Sequence, residues 1–225
     1  MASANYRSPM AEHADDRLLQ TWITGWSTCR GLRPYDDGGS TFVVSTDPQE
    51  QTEHFLFEPS TEQFLELARE TKDDARRVLT VITNRMQDLL DAADPLGMRV
   101  IDRKQSLMSA DMHGQDVEDP RAPSEDFVLE RSEDSPCRRV TVRIGDELAA
   151  RGSVSVVGDY AVYDRIITEE QFRRRGLASY VMRALTAGVL TDDVTTGLLV
   201  ATSDGRALYE FLGWQHLADV FVIRG

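Results

Sequence analysis

Cysteine is scarce in this sequence. Only two of the 225 residues are cysteines, Cys29 and Cys137, and they lie far apart in the chain. Neither belongs to a CxxC motif or to a Cys/His cluster with the spacing of metal ligands. Disulfide-stabilised domains need several paired cysteines, and zinc sites need clustered Cys or His ligands. We therefore expect neither a disulfide framework nor a bound metal.

Long apolar runs are also missing. No stretch approaches the roughly 18 consecutive apolar residues that a membrane-spanning helix requires. The first residues, Met1 to Glu12, lack the basic and apolar blocks of a signal peptide. We therefore expect a cytoplasmic protein that has no membrane partner.

Positive charge is the third shortage. Lysine and arginine number 25 against 38 aspartates and glutamates, which gives a formal net charge of −13 at pH 7. This balance disfavours nucleic acid as a partner and favours a cationic substrate. An acidic surface that only keeps the protein soluble explains the same charge, so both interpretations stay open.

Apolar periodicity predicts an α/β protein in two parts. Residues 113–126 are polar, with two prolines and a glycine, and predict a linker. We therefore expect an N-terminal α/β domain over residues 1–120 and a second domain over residues 121–225.

The first residues, 1–14, are small and polar and predict disorder. Asp15 is a candidate N-cap for a helix in which Trp22 and Trp26 recur at helical spacing. Two roles are open for these tryptophans, packing in the core or roofing a substrate cleft. A loop containing Gly38-Gly39 follows this helix.

The segment from Ile166 to Ser179 is the most informative. An apolar strand ends there, three arginines and a glycine follow (Arg173–Gly176), and a helix is predicted over residues 173–190. A helix N-terminus offers unpaired N–H groups and positive potential, and it disfavours cations unless an anion is bound. The segment therefore predicts an anion site, most simply for phosphate.

Two motifs in this half are similar to those of a known family. Arg173-x-x-Gly176-x-Ala178 fills every position of a pyrophosphate loop, and Leu208-Tyr209-Glu210-Phe211-Leu212-Gly213-Trp214 matches a second block one helix and one strand later. On these motifs, residues 127–225 resemble the GNAT superfamily of acetyl-coenzyme A-dependent N-acetyltransferases. The sequence departs from the family at Glu170, where the loop usually has proline, and at Ser203-Asp204, where asparagine is frequent.

The resemblance implies a fold and a cofactor. The fold is a mixed, mostly antiparallel central sheet flanked by helices, and the co-substrate is acetyl-CoA. The pantetheine arm would run along strand 160–168, and the thioester carbonyl would lie near the Ile166 N–H. The implied cofactor-binding residues are Ile166, Ile167, Thr168, Arg173, Arg174, Arg175, Gly176, Leu177, Ala178 and Ser179.

The resemblance also implies the reaction, which is direct attack of an amine on the acetyl group with Tyr209 as the general acid. Helical spacing puts Leu208, Phe211 and Leu212 on a buried stripe with Tyr209 at its margin. The base is left open between Asp164, Glu169, Glu170 and a chain of water molecules.

The acceptor is predicted from bulk charge alone. We expect a small-molecule substrate, a primary amine of a small cationic compound, with no nucleic acid or membrane partner. Lysine or N-terminal amines of proteins are an alternative, and so is a non-catalytic acyl-CoA-binding sensor. The resemblance is compatible with a monomer or a homodimer.

The first half echoes the second. Strand 78–83, a helix, and strand 106–112 follow the same order as strand 198–202, a helix, and strand 218–223. One interpretation is a tandem protein whose N-terminal half is a degenerate GNAT-like repeat without a cofactor loop. The other is that strand-helix-strand units look alike.

Overall fold

The computed structural model describes residues 16–36, 42–45, 51–115, 121–134, 136–190 and 193–225. The expectations for residues 1–14, for the cap at Asp15 and for the Gly38-Gly39 loop fall outside these ranges. In the described part of the chain, no helix combines the length and the apolar character needed to cross a membrane.

The first half alternates helices and strands, as its apolar periodicity predicts. In chain order its elements are α1 (Asp16–Arg30), β1 (Pro34–Asp36), β2 (Phe42–Ser45), β3 (Thr52–Phe57), α2 (Thr61–Asp73), β4 (Arg77–Thr83), α3 (Met86–Ala93) and β5 (Arg99–Asp111). A capping box begins α2, because the Ser60 hydroxyl accepts the Gln63 N–H and the Gln63 side chain accepts the Ser60 N–H.

The second half begins with four successive strands. Its elements are β6 (Phe127–Asp134), β7 (Cys137–Ile144), β8 (Glu147–Val157), β9 (Tyr160–Thr168), α4 (Leu177–Val189), β10 (Thr196–Ala201), α5 (Ser203–Phe211) and β11 (Gln215–Arg224). Antiparallel pairs connect β6 to β9, and β9 lies parallel to β10 with α4 as the crossover.

All eleven strands of the described residues form one sheet, in the order β1-β2-β3-β4-β11-β5-β10-β9-β8-β7-β6. The pairs β3–β4 and β9–β10 are parallel and every other pair is antiparallel. The expected fold class, a mixed and mostly antiparallel sheet flanked by helices, is therefore confirmed.

The two halves exchange their last strands. Strand β11 of the second half lies between β4 and β5, and β5 lies between β11 and β10. Apart from the edge strand β6, exchanging β1–β5 with β7–β11 gives the same strand order read from the opposite edge of the sheet. This correspondence is what a tandem repeat would produce, and the repeat stays a hypothesis.

Helices cover both faces of the sheet. Along β10, Leu198 packs in the core under α1, whereas Leu199 and Ala201 pack in the core with α4. Alternate residues of a strand point to opposite faces, so α1 and α4 lie on opposite sides of the sheet. A third core forms under α2 and α3, on the first half.

Three boundaries differ from the expectations. Strand β5 begins at Arg99 rather than at Ser106, because β11 pairs with it from Arg99 to Ser109 and keeps its first half extended. Residues 34–36 form an edge strand, a position that tolerates Pro34. Helix α4 begins at Leu177 and not at residue 173.

The two cysteines are close in space, which their separation in sequence does not predict. The Sγ atoms of Cys137 and Cys29 share a hydrogen bond at 2.9 Å, and both are buried free cysteines. This contact connects α1 with β7. Their mutual hydrogen bond is the main cause of a raised pKa at Cys29 and a lowered pKa, about 7, at Cys137.

Candidate functional site

Strands β9 and β10 diverge in the middle of the sheet. They pair only from Tyr160 to Val162 of β9. Beyond this point β10 stays paired with β5, and β9 stays paired with β8. The part of β9 after Val162 therefore has an open edge toward the gap, and such an edge presents unpaired N–H and C=O groups.

A β-bulge lies on β9 beside this gap. Arg165 and Ile166 stand opposite the single residue Gly152 of β8. Arg165 adopts a positive φ of 54°. A Cβ atom at Gly152 would lie 2.5 Å from the Ile166 side chain, so glycine is needed for Ile166 to pack there.

A cavity of about 420 Å³ opens at the gap. Leu199 and Ala201, which face α4, line it, and so does Val200, which packs on the α1 side. Since successive residues of a strand face opposite sides, the cavity passes through the sheet. We call it the through-sheet cavity.

Tyr209 forms part of the wall of this cavity. Its side chain is buried against Trp214, with ring centroids 6.1 Å apart. Within the described residues its hydroxyl makes no hydrogen bond. Burial, and secondarily the charge of Asp164, raise the pKa of Tyr209 to about 12, so the hydroxyl is protonated at neutral pH.

Helix α1 roofs the other side of the through-sheet cavity. Gly25 permits close packing of α1 on the sheet, because a Cβ there would lie 2.5 Å from Val162. At the end of the helix, Arg30 donates two hydrogen bonds of 2.9 Å to Asp164 of β9. Trp22 and Trp26 of α1 are core residues and also line the cavity.

Glu53 of β3 brings a carboxylate to the cavity from the first half of the chain. The Thr80 hydroxyl donates a hydrogen bond to it. Burial raises the pKa of Glu53, while the Thr80 hydrogen bond and the positive charge of Arg30 act in the opposite direction. In the described part of the chain Glu53 has no ion pair.

The arginine loop lies between the end of β9 and α4. Arg173, Arg174 and Arg175 are exposed, and Arg174 has a positive φ of 65°. Gly176 has a φ of 77° and is the N-cap of α4. These two backbone conformations prevent the helix from starting at residue 173, which explains why that prediction is wrong.

The remaining predicted cofactor residues fall into two groups. Ile166 and Ile167 line the through-sheet cavity. Leu177, Ala178 and Ser179 form the first turn of α4, whose N–H groups have no acceptor within a helix. Thr168 ends β9, and its buried hydroxyl has no hydrogen-bond partner among the described residues.

The structure differs from the expected buried stripe on α5 and separates the three acids considered as bases. Phe211 is 84% exposed and is not part of a buried stripe on α5, where Tyr209 is the buried residue. The helix is short and only its Tyr209 side faces the sheet. Of the three acids considered as bases, Asp164 lines the cavity and is paired with Arg30, whereas Glu169 and Glu170 are not among the lining residues.

Comparison with known families gives one match. Residues 159–222 match the family described as FR47-like protein. The matched segment includes β9, the arginine loop, α4 and Tyr209, which are parts of the site that come from the second half of the chain. No curated protein matches the chain by sequence.

Solved structures match the whole architecture. A GCN5-related N-acetyltransferase from Kribbella flavida superposes with a TM-score of 0.66 at 12% identity, covering 95% of this chain and 96% of its own. The chain has the GNAT fold. The FR47-like match and this superposition confirm the resemblance found in the sequence.

Two further structures with the GNAT fold are similar over most of the chain. A GCN5-related N-acetyltransferase-like protein from Streptococcus suis gives a TM-score of 0.57 at 14% identity, over 93% of this chain and 98% of its own. A tandem GNAT protein from the clavulanic acid biosynthesis pathway gives 0.55 at 14% identity, over 82% of this chain and 78% of its own. At these identities the likeness concerns the fold.

Sequence reasoning missed the contribution of the first half to the cavity. Glu53 and Arg30 were not singled out. A usable signal existed for Glu53, because it shares one face of β3 with Phe55 and Phe57, and an acid on an apolar face needs an explanation. Nothing in the sequence indicates that Arg30 meets Asp164.

Proposed function

We propose that this protein is an N-acetyltransferase that moves the acetyl group of acetyl-CoA to a primary amine of a small cationic molecule. The observation that carries the proposal is the through-sheet cavity, which has the open edge of β9 on one side and Tyr209 in its wall. The GNAT fold and the FR47-like match support this reaction class.

The donor side fits acetyl-CoA, which would supply the activated acetyl thioester. Arg173, Arg174 and Arg175 offer exposed positive charge in front of the α4 N-terminus. Gly176, with its positive φ, leaves the backbone N–H groups of the first turn accessible to a pyrophosphate. The open edge of β9 after Val162 can pair with the amides of a pantetheine arm.

The acceptor amine would enter from the α1 side. It must be neutral to attack, whereas a free amine of lysine type has a pKa of about 10.4. Asp164 is engaged by Arg30, which favours loss of the proton through water. In the reaction a C–N bond forms, the C–S bond breaks, and one amine proton ends on the released thiol.

Tyr209 would act on the leaving sulfur. Its hydroxyl is protonated at neutral pH because its pKa is raised to about 12. A coenzyme thiol has a lower pKa, about 8.5 as for free cysteine. The hydroxyl would therefore stabilise the sulfur by a hydrogen bond that strengthens as negative charge develops. With these pKa values, complete transfer of the proton from Tyr209 to the thiolate would be unfavourable.

The first test measures thiol release from acetyl-CoA over a panel of small amines and a lysine peptide, because a cavity of about 420 Å³ also admits a lysine side chain. We expect at least one amine to raise thiol release. Tyr209→Phe should lower kcat by about 10² to 10⁴ with little change in the KM of acetyl-CoA.

The matched control is Phe211→Leu, since Phe211 is on the same helix and is 84% exposed. It should leave kcat within about twofold, because surface substitutions have small effects. Tight acetyl-CoA binding without thiol release from any acceptor would instead support an acyl-CoA-binding sensor.

A further inference from the structure

The through-sheet cavity has two chemically different ends. Tyr209 packs in the core with α4, whereas Glu53 lies on the face of Phe55, which packs under α1. Four strands separate β3 from β9 in the sheet. The Arg30–Asp164 pair stands between the ends, since Asp164 acts electrostatically on Tyr209 and Arg30 on Glu53.

The carboxylate of Glu53 lacks a cation. Its hydrogen bond comes from the neutral Thr80 hydroxyl, and it forms no ion pair with the described residues. The guanidinium of Arg30 is already held by two hydrogen bonds to Asp164 and lies 4.4 Å over the Trp26 ring. A half-buried carboxylate that faces a cavity and forms no ion pair with the described residues is suited to a cationic ligand.

Apolar side chains line the path between the ends. Trp22 and Trp26 contribute from α1, Val220 and Val222 from β11, and Val200 from β10. Such walls bind methylene groups, and the cavity volume of about 420 Å³ restricts the ligand to a small molecule.

We infer that the acceptor carries a second positive charge, remote from the amine that is acetylated, and that Glu53 binds this charge. The inference rests on the proposed function, because it names the class of acceptor. The class is a small diamine, with two amino groups joined by a short methylene chain. The reacting amine must be neutral, so the cation that meets Glu53 is a different group.

The test compares diamines of four to eight carbons with the aminoalcohols of equal length, beginning with 1,4-diaminobutane and 4-amino-1-butanol. Both members of a pair offer the same reactive amine, and the second ends in a hydroxyl where the first has an ammonium group. Because the single ammonium group of an aminoalcohol can meet Glu53 when no reaction occurs, the members of a pair are compared by their KM in thiol release at saturating acetyl-CoA, where the reacting amine lies at the acetyl end. We expect the KM of the diamine to be at least about tenfold lower for the chain length that fits. Binding of the diamine without acetyl-CoA is followed separately by intrinsic tryptophan fluorescence, because Trp22 and Trp26 line the cavity.

Glu53→Gln should remove this preference by raising the KM of the diamine, and it should leave the KM of the aminoalcohol unchanged. Glu66→Gln is the matched control, since Glu66 is exposed on α2, and it should keep the preference. The comparison of the two ligands on the unmodified protein tests the proposal even where a variant folds poorly.

Equal KM values for the two members of every pair would overturn the inference, and so would a preference that survives in Glu53→Gln. A third result, in which Glu53→Gln lowers kcat equally for both ligands and leaves their KM values unchanged, would make Glu53 a base and also overturn it. Diamine binding that Glu53→Gln weakens, without thiol release from any amine, supports the cation site while refuting the proposed transfer. Thiol release without a preference for the diamine supports the transfer and refutes the cation site.

Discussion

Burial away from water favours the neutral form of two side chains that line the through-sheet cavity. Burial raises the pKa of both Tyr209 and Glu53. For Tyr209 this preserves a neutral hydrogen-bond donor. For Glu53 it makes ionisation costly, and a cationic ligand would recover that cost.

The raised pKa of Glu53 has a consequence for stability. A carboxyl whose pKa is higher in the folded protein stabilises the fold relatively at low pH, and this contribution is lost as pH rises from its usual pKa, about 4.3, through the raised value. We therefore expect Glu53→Gln to raise the free energy of unfolding at pH 7, with the difference from the unmodified protein vanishing below about pH 4.

Urea unfolding at several pH values measures this difference. Glu66→Gln, at an exposed position, should change the free energy of unfolding by less than about 0.5 kcal/mol at each pH. A loss of stability in Glu53→Gln at pH 7 would show that the ionised carboxylate is well satisfied without a ligand.

Two elements carry the two sides of the site. The arginine loop with α4 forms the proposed donor side, and α1 roofs the proposed acceptor side. Each is held by a glycine: Gly176 takes a positive φ before α4, and Gly25 brings α1 within contact of Val162. Neither glycine has a side chain that could act in the site. Each one instead allows the backbone conformation or the close packing that positions the functional side chains nearby.

Gly176→Val should abolish acetyl-CoA binding while the fold survives. Valine is strained at a φ of 77°, which costs about 1–2 kcal/mol of stability, and its side chain would cover the N–H groups of the α4 start. Isothermal titration with acetyl-CoA measures the affinity, and circular dichroism checks the fold.

Gly97→Val is a control with similar backbone strain, because Gly97 has a φ of 63° and no atom of the described residues lies within 4 Å of an added Cβ. It should lose comparable stability and retain acetyl-CoA affinity. Unchanged affinity in Gly176→Val would remove the cofactor site from this loop.

At the scale of the whole molecule, the exchanged strands join the two halves. Strand β11 pairs with both β4 and β5, and β5 also pairs with β10. Neither half can complete its part of the sheet without a strand from the other. The through-sheet cavity is consequently lined by Glu53, Thr80 and Gln105 from the first half as well.

We expect one cooperative unfolding transition for the whole chain. In Trp214→Phe, the remaining tryptophans, Trp22 and Trp26, report on α1, while far-UV circular dichroism reports on all helices and strands. The two signals should have coincident urea midpoints because the shared sheet couples the halves. Two separated midpoints would mean that the halves unfold independently.

Local pattern was sufficient for much of this protein. Apolar periodicity predicted the order of helices and strands, and the Arg173–Ala178 loop and the Tyr209 block predicted the GNAT fold, because these signals depend on residues that are neighbours in the chain. Boundaries were less accurate where pairing overrides local preference, as at the start of β5, and where positive φ angles interrupt a helical pattern, as at Arg174 and Gly176.

By itself, then, the sequence determined the order of the elements and the motifs from which the cofactor loop and the acid Tyr209 are proposed. Tertiary structure alone decided that Glu53 reaches the same cavity as Tyr209, that Arg30 meets Asp164, and that Cys29 touches Cys137. These contacts join residues that are distant in the chain, and they depend on the strand order and on which face of the sheet each helix covers. Neither is set by local periodicity.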